Sequence, residues 1–483
     1  MIEHRKLYIN GQWTNPASDA LLDVISPSTE EVVGRVPVVT PADIDAAVGA
    51  ARTAFDSGEW SKLDVQERAK YVRAIRDGLI ARNEEITDLI AAEAGLPIKA
   101  WARVDLALNF VDYYLDYAER VELSELRSGV IQKVLVRKEP VGVVAAIVPW
   151  NSPLSLAALK FIPALLAGCT VVLKSDPNTP LHAFALAEVI HEAGLPPGVM
   201  NIVPAEREAS AALVAHPGVD HVSFTGSTAV GRIVAQTCAQ QLKGCTLELG
   251  GKSAAIVLDD VDLAAVLPFL SFTTFMNNGE ACVLQSRVLA PRRRYDEIVG
   301  ALTATAAGLA IGDPLAKDTD LGPLITAAHR DRVAGFVDRG VRDGAKVAFG
   351  GGRPEGLTRG WYFEPTVLVD VDNSTEVAQQ EIFGPVVSVI PYDDDAQAVA
   401  LANDTPYGLS GTVWTSDHNR GLDVAAQVRT GNYGINSFGI DACAPFGGWK
   451  QSGLGSESGP EGFDEFLHAK SIHLPYDWSG DAR

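Results

Sequence analysis

Cys282 closes the polar run FMNNGEACVLQS. A thiolate attacks carbonyl carbon readily and is made available by a helix N-terminus or a nearby base. By residue type alone it reads more often as a small buried hydrophobe. The neighbours Asn277, Asn278, Gly279 and Glu280 place it at the end of a polar loop instead. The other cysteines, Cys169, Cys238, Cys245 and Cys443, lie in apolar stretches or beside glycine and read as structural. Glu248, in TLELGGKS, is either a solvated strand residue or a general base at the bend made by Gly250 and Gly251. In FTGSTAVG, Gly226 follows a strand and opens a helix, where free N–H groups suit phosphate oxygens. A plain cap by Ser227 or Thr228 is the alternative. Asn151, in PWN, can aim an amide at a ligand or merely make a turn after Pro149. Glu381, in EIFGPV, can meet a ribose or sit in a turn.

The elements that must hold these residues follow from pattern. VGVVAAIVP (141–149) is a β-branched run, as expected of a strand buried on both faces. Residues 154–167 read as helix, TVVLK (170–174) as strand, 181–194 as helix, VMNIV (199–203) as strand, HVSFTG (221–226) as strand and 228–241 as helix. TLELGG and SAAIVL add two strand-like pieces. Such alternation means βαβ units and a parallel sheet with helices on both faces. A second alternating stretch runs from about 262 to 445, with helices at 295–309 and 395–403 and strands at VVSVIPY and GTVWT. Segment 40–120 is mostly helical. Residues 121–140 and the tail SIHLP have no clear place in either core, and polar extended pieces of this kind often pair with another subunit.

The 483 residues are 47% hydrophobic and 21% charged, which excludes global disorder. The net charge of −21 argues against nucleic acid and against a polybasic membrane anchor. The one basic run, Arg292–Arg294, is followed by Asp296 and Glu297 and reads as a solvated helix start. Five cysteines, without any CxxC or Cys/His spacing, imply a reducing compartment and no structural metal. Neither a secretory signal nor an uninterrupted apolar run of about 20 residues is visible, so a cytoplasmic location is expected. GGKS at 250–253 is not the end of a P-loop, because Thr246 stands where the first glycine is needed.

In their order, PWN (149–151), LK (173–174), FTGS (224–227), LELGGKS (247–253), GEAC (279–282), EIFGPV (381–386), NDTPYGLS (403–410) and PFGGWKQSG (445–453) resemble the NAD(P)-dependent aldehyde dehydrogenase superfamily. The resemblance implies an α/β fold with a Rossmann-like cofactor domain (1–120 and 141–249). It adds an α/β catalytic domain (250–445) and a small β oligomerisation extension with the C-terminal tail (121–140 and 446–483). It implies NAD as cofactor, an aldehyde as substrate, and a homodimer or homotetramer. Cys282 matches the nucleophile that forms a thiohemiacetal and then a thioester. Asn151 matches the oxyanion donor and Glu248 the base that activates hydrolytic water. Lys160 and Glu457 match positions proposed to relay the proton outward. For the cofactor, Lys174 matches the adenosine-ribose lysine, with Ser175 and Asp176 beside it. Gly226 and Ser227 match the pyrophosphate contact, and Glu381 and Phe383 the nicotinamide-ribose grip. Trp150, with Val148, Pro149 and Leu249, matches positions that the resemblance implies lie along the same cofactor.

Three departures matter. Many NAD-preferring relatives carry a glutamate three residues after the lysine, where this chain has Pro177. NADP is therefore expected to be tolerated better, although Asp176 restores some of the repulsion. His329 stands where a glutamine is common near the adenosine, and Ser456 replaces a frequent arginine. The expected substrate pocket is Ser152, Leu156, Leu159, Val283, Ile440 and Phe446, apolar and without a cation for a substrate carboxylate. A hydrophobic aliphatic, terpenoid or aromatic aldehyde follows. Two rivals share the fold. A CoA-acylating enzyme would have no use for Glu248, and a non-enzymatic scaffold would need neither thiol, base nor amide. An esterase side activity is compatible with the same site.

Overall fold

The computed structural model describes residues 1–478. Positions 479–483, which the sequence reading placed in the tail, lie outside the described residues. The largest sheet has eight strands. Its five central strands are parallel and run in the spatial order Met200–Pro204, Thr170–Ser175, Val143–Ile147, His221–Thr225, Gly244–Glu248. Numbered along the chain, that order is 3-2-1-4-5. The winding therefore reverses between Val143–Ile147 and His221–Thr225, and a crevice opens beyond their carboxyl ends. PWN leaves the first of these strands and FTGS leaves the second.

Alternation along the strands explains the layers. Val144 and Ala146 pack with the helices Val65–Ala81, Asp105–Ala118 and Pro153–Ala167, while Val143, Ala145 and Ile147 pack with Pro41–Ser57 and Thr228–Gln240. The sheet is thus covered on both faces, as its continuous apolar strands require. Antiparallel strands close its edges: Leu7–Ile9 and Gln12–Thr14 on one side, Gly453–Leu454 on the other. The last strand comes from the tail and lays Gly453 opposite Glu248.

A second sheet of seven strands is parallel except at the Lys346–Phe349 edge, and its centre is Val386–Tyr392, Arg287–Pro291, Ala254–Val257 and Gly411–Trp414. The helices expected at 295–309 and 395–403 are Tyr295–Gly308 and Asp395–Asn403. The segment 121–140 and the tail find each other: Ser124–Ser128, Lys133–Pro140 and Leu467–His473 form one antiparallel three-stranded sheet within the chain. Among the described residues, no helix is long and apolar enough to cross a membrane.

Candidate active site

The crevice at the reversal point is a cleft of roughly 300 Å³. The first strand delivers Pro149, Trp150 and Asn151 to its wall, and the helix after it delivers Leu156. The partner strand delivers Thr225, Gly226 and Ser227, and Gly244–Glu248 delivers Glu248, Leu249 and Gly250. From the seven-stranded side come Cys282, His329, Arg332, Glu381 and Phe383. Residues far apart in the chain thus meet because two sheets present their loops to one gap.

Ser227 caps Thr228–Gln240, its hydroxyl accepting from Val230 N–H at 3.4 Å. The helix-cap reading of FTGS is therefore correct, and the first turn of the helix leaves further N–H groups without intrahelical partners at the cleft. Glu248 is not solvated. It is 2% exposed, and neither of its oxygens has a hydrogen-bond partner among the described residues. Loss of water, reinforced by the negative charges of Glu457 and Glu381, pushes its carboxyl well above the usual range. The Cys282 thiol lies near enough to favour the ionised carboxylate, though not in hydrogen-bonding geometry.

The loop before Cys282 is polar but buried. Asn277, Asn278 and Gly279 all have positive φ, at 53°, 58° and 76°. Asparagine and glycine suit that conformation. A Cβ on Gly279 would fall 2.0 Å from the Gly384 carbonyl carbon, so only glycine fits. Asn278 clamps the loop, donating to Gly95 O at 3.0 Å and Pro323 O at 3.1 Å while accepting from Gly322 N–H at 2.7 Å. Asn277 donates to Asn151 O at 2.7 Å, and Asn151 Nδ2 donates to Glu280 O at 2.8 Å. One amide hydrogen of Asn151 is thereby fixed, which orients the group at the cleft wall. Glu280 is fully buried, and its Oε1 accepts from Ile325 N–H at 3.0 Å. Cys282 itself is half-buried, and its thiol is held well above the usual range by loss of water and by Glu248 and Glu381. These surroundings favour the thiol over the thiolate, so Cys282 depends on a nearby base for its activation.

Glu381 Oε1 accepts from Gly251 N–H at 3.0 Å, and burial raises its carboxyl to about 7 against the opposing pull of that N–H, Arg332 and Lys252. Gly250 allows this approach, since a Cβ there would fall 2.5 Å from Glu381 Oε2. Arg332 bonds the Glu381 carbonyl at 2.8 Å and also the Ile382 carbonyl, holding the loop from behind. Phe383, at φ 61°, packs edge-on against Trp150 with ring centroids 5.5 Å apart. His329 completes this group, 5.8 Å from Trp150.

The remaining expected residues spread outward. Val148 is buried behind the cleft and donates to Lys174 O at 3.1 Å. Lys174 and Ser175 end a central strand, buried, and Lys174 Nζ lies 4.0 Å from Asp176. Loss of water lowers the Lys174 ammonium, with Asp176 opposing. None of these three belongs to the cleft wall just described. Lys160 and Glu457 form a buried ion pair. Ser152 begins the helix Pro153–Ala167, and Leu159 is buried within it. Val283 and Phe446 join Met276, Leu284 and Leu409 in an apolar cluster around Cys282, whereas Ile440 is 36% exposed and stands outside that cluster. Cys443 is exposed, against the structural reading, because its loop stays at the surface.

Sequence reasoning missed Trp101, Phe438 and Met276, which wall Cys282, and Arg332, which carries the Glu381 loop. Nothing local marks them: Trp101 lies some 180 positions from Cys282 in a helical region, and Arg332 sits among other charged helix residues.

Residues 13–472 match the model of the Aldehyde dehydrogenase family. A geranial dehydrogenase from Castellaniella defragrans is 45% identical over 98% of this chain and 99% of its own. A 3-succinoylsemialdehyde-pyridine dehydrogenase from a Pseudomonas species is 40% identical over 98% and 99%. Among solved structures, an aldehyde dehydrogenase of Mycobacterium tuberculosis complexed with NAD+ superposes with a TM-score of 0.97 at 49% identity, covering 99% of this chain and 100% of that one. A mutant aldehyde dehydrogenase C of Pseudomonas syringae, in complex with NAD+ and octanal, gives 0.95 at 40% identity over 98% of each chain.

Proposed function

The chain belongs to the aldehyde dehydrogenase family, and we propose that it oxidises hydrophobic aldehydes to carboxylic acids with NAD, through a covalent adduct on Cys282. The observation that carries this is the convergence of one thiol, one buried carboxyl and one oriented amide on a single cleft, at the reversal point of a doubly wound sheet. The residues fit a dinucleotide. The crevice has a helix start with free N–H groups on one side and the Glu381 carboxyl on the other, and Thr225 Oγ1 is buried there without a partner among the described residues. Gly226, Ser227, Glu381 and Phe383 would hold the group, with Lys174 toward its ribose end, and the two NAD+ complexes among the structural neighbours support the choice. When bound, it supplies a hydride acceptor.

The protein does the rest. Cys282 adds to the aldehyde carbon after giving up its proton, and Glu248 is the base at hand. The free amide hydrogen of Asn151 stabilises the developing oxyanion. Glu248 becomes a carboxylate again by passing that thiol proton to the Glu457–Lys160 pair. Once the acyl group sits on sulfur, Glu248 takes a proton from water, which attacks the thioester carbon and expels the Cys282 thiolate. The thiolate takes the proton of the product acid. Burial keeps the Glu248 carboxyl basic enough for that task. Lys160 and Glu457 pass the proton onward. Leu156, Val283 and Phe446, with Trp101, Phe438 and Met276, offer the substrate an apolar wall without a cation of its own. A geranial dehydrogenase and an octanal complex among the relatives support a hydrophobic aldehyde.

Residues 1–120 with 141–249 would serve as the cofactor unit and 250–445 as the catalytic unit. The three-stranded sheet, with open edges and exposed Val130 and Ile131, would join subunits into a dimer or tetramer. The test is an aldehyde panel followed by NADH fluorescence, with NAD and NADP in parallel and Cys282→Ala as control. Geranial-like, octanal-like and aromatic aldehydes should exceed succinic semialdehyde in kcat/KM. The reverse order would overturn the substrate reading, and turnover by Cys282→Ala would overturn the mechanism.

A further inference from the structure

Two residues before Cys282 stands a buried carboxyl with no task in the chemistry above. Glu280 is 0% exposed, and its Oε2 has no hydrogen-bond partner among the described residues. Its main chain and its side chain serve opposite halves of the site. The Glu280 carbonyl oxygen accepts from Asn151 Nδ2 at 2.8 Å and from Asn277 Nδ2 at 3.1 Å. The side-chain oxygen Oε1 accepts from Ile325 N–H at 3.0 Å and lies 3.6 Å from His329 Nε2.

Ile325 precedes Thr326, whose hydroxyl accepts from His329 N–H at 3.1 Å and caps the helix Ala327–Arg342. That helix carries His329 and Arg332, which hold the carbonyls of Phe383 and Glu381 at 2.6 and 2.8 Å. Asn278, on the same loop as Glu280, grips the approach to the helix a second time, its Oδ1 accepting from Gly322 N–H at 2.7 Å. Every link from Asn151 to Phe383 is thus a hydrogen bond or a stretch of chain. Among the described residues, the one ion-pair candidate for Glu280 is His329, which burial keeps neutral. Loss of water, opposed by the Ile325 N–H and by Asn278, pushes the Glu280 carboxyl well above the usual range. A buried carboxyl without a cation takes up a proton rather than hold a charge. Oε1 accepts, so Oε2 carries that proton.

We propose that Glu280 is the positioning residue that ties the oxyanion amide to the cofactor grip: its carbonyl holds Asn151 on the substrate side, and its uncharged side chain holds segment 325–332 on the dinucleotide side. The Cys282 thiol rides on the same loop. Turnover needs the adduct on Cys282 and the cofactor in one fixed relation, and a displacement of about 1 Å costs about a hundredfold in rate. Hydrogen bonding by an uncharged group is the whole of the role. A glutamine amide offers the same acceptor oxygen in the same shape and serves equally. Alanine leaves the Ile325 N–H buried and unsatisfied and lets the segment shift, while the main-chain hold on Asn151 survives.

This rests on the reading of Cys282 and the dinucleotide cleft, and wild type tests that reading while the variants test the tie. Glu280→Ala should weaken NAD binding, read by fluorescence quenching, about tenfold, the equivalent of one hydrogen bond. Its kcat should fall about a hundredfold. It should still load Cys282 from a nitrophenyl ester, without cofactor, at the wild-type rate, followed by intact-protein mass. Glu280→Gln should restore both NAD affinity and kcat. The infrared spectrum of wild type minus Glu280→Gln, at neutral pH, should show a protonated-carboxyl band. Ester loading that falls together with kcat makes Glu280 a mere support of the nucleophile loop and overturns the tie. So does alanine that matches wild type, glutamine as impaired as alanine, or a carboxylate band in the difference spectrum. If Glu280→Ala does not fold, the glutamine variant and the spectrum decide. If wild type neither binds NAD nor loads Cys282, the functional reading itself fails, and the tie falls with it.

Discussion

His329 Nε2 lies 2.6 Å from the carbonyl oxygen of Phe383. The oxygen can only accept, so Nε2 carries the proton, and one imidazole fixes a residue whose φ is 61°. Through Phe383 it also fixes the edge-on contact with Trp150. His329→Ala should therefore loosen the cofactor side of the cleft without touching the thiol. KM for NAD should rise about tenfold, the equivalent of one hydrogen bond at about 1.4 kcal/mol, with kcat little changed. A lowered kcat at unchanged KM would contradict this.

The same residue makes a stability prediction. Burial lowers His329 and His221 to about 4, below the ordinary value of 6.5. The unfolded chain then binds more protons than the native one between those limits. Stability from these rings is complete above about pH 6.5 and is lost as pH falls toward 4, by at most roughly 3 kcal/mol each. Glu381 acts in the opposite sense. Its raised carboxyl, at about 7, favours the native state in acid, and that contribution is lost as pH climbs from 4.5 through 7. Thermal melts should show His329→Gln flattening the acid side and Glu381→Gln flattening the neutral side. Equal slopes in wild type and variants would refute the assignment.

In the proposed grip on the cofactor ribose, an ionised Glu381 would accept from the hydroxyls more strongly than the protonated acid. KM for NAD should fall as pH rises through about 7 and then level, and this step should vanish in Glu381→Gln. Steady-state titration of NAD from pH 6 to 9 checks it.

Asn151 donates one amide hydrogen to Glu280 O and lines the cleft with the other. Asn151→Ala should reduce kcat/KM for any aldehyde by about a hundred- to a thousandfold, the usual loss for one oxyanion donor. NAD binding, followed by fluorescence quenching, should be unaffected.

Lys174 has Asp176 at 4.0 Å, and no glutamate stands at position 177. NAD should be preferred over NADP by less than about a thousandfold, ~4 kcal/mol. Asp176→Asn should narrow the gap further by removing the charge that opposes a 2′-phosphate. Parallel kcat/KM values for the two cofactors decide it.

Much of this protein was written in local pattern. The apolar-rich runs at 141–149, 170–174 and 199–203 pointed to strands, Gly168 to a helix end, and Ser227 or Thr228 to a helix start. The strands are Val143–Ile147, Thr170–Ser175 and Met200–Pro204, and Ser227 is the cap. Residue type and position singled out Cys282, Glu248 and Asn151 but left an ordinary structural reading open for each, and their roles came from the resemblance of the ordered motifs to a family. What the chain order could not express is which polar groups lose their water. Glu248 reads as a solvated strand residue until Gly453–Leu454 lies alongside it and Glu457 faces it. The loop Asn277–Gly279 reads as solvent-facing until Gly95, Gly322 and Pro323 close over it. Trp101, in the turn before the helix Asp105–Ala118, and Arg332, on the helix Ala327–Arg342, reach the site only because distant segments dock on it. Local periodicity determines which face of an element is apolar, whereas burial, and with it every shifted proton affinity at this site, depends on what the rest of the chain packs against that face.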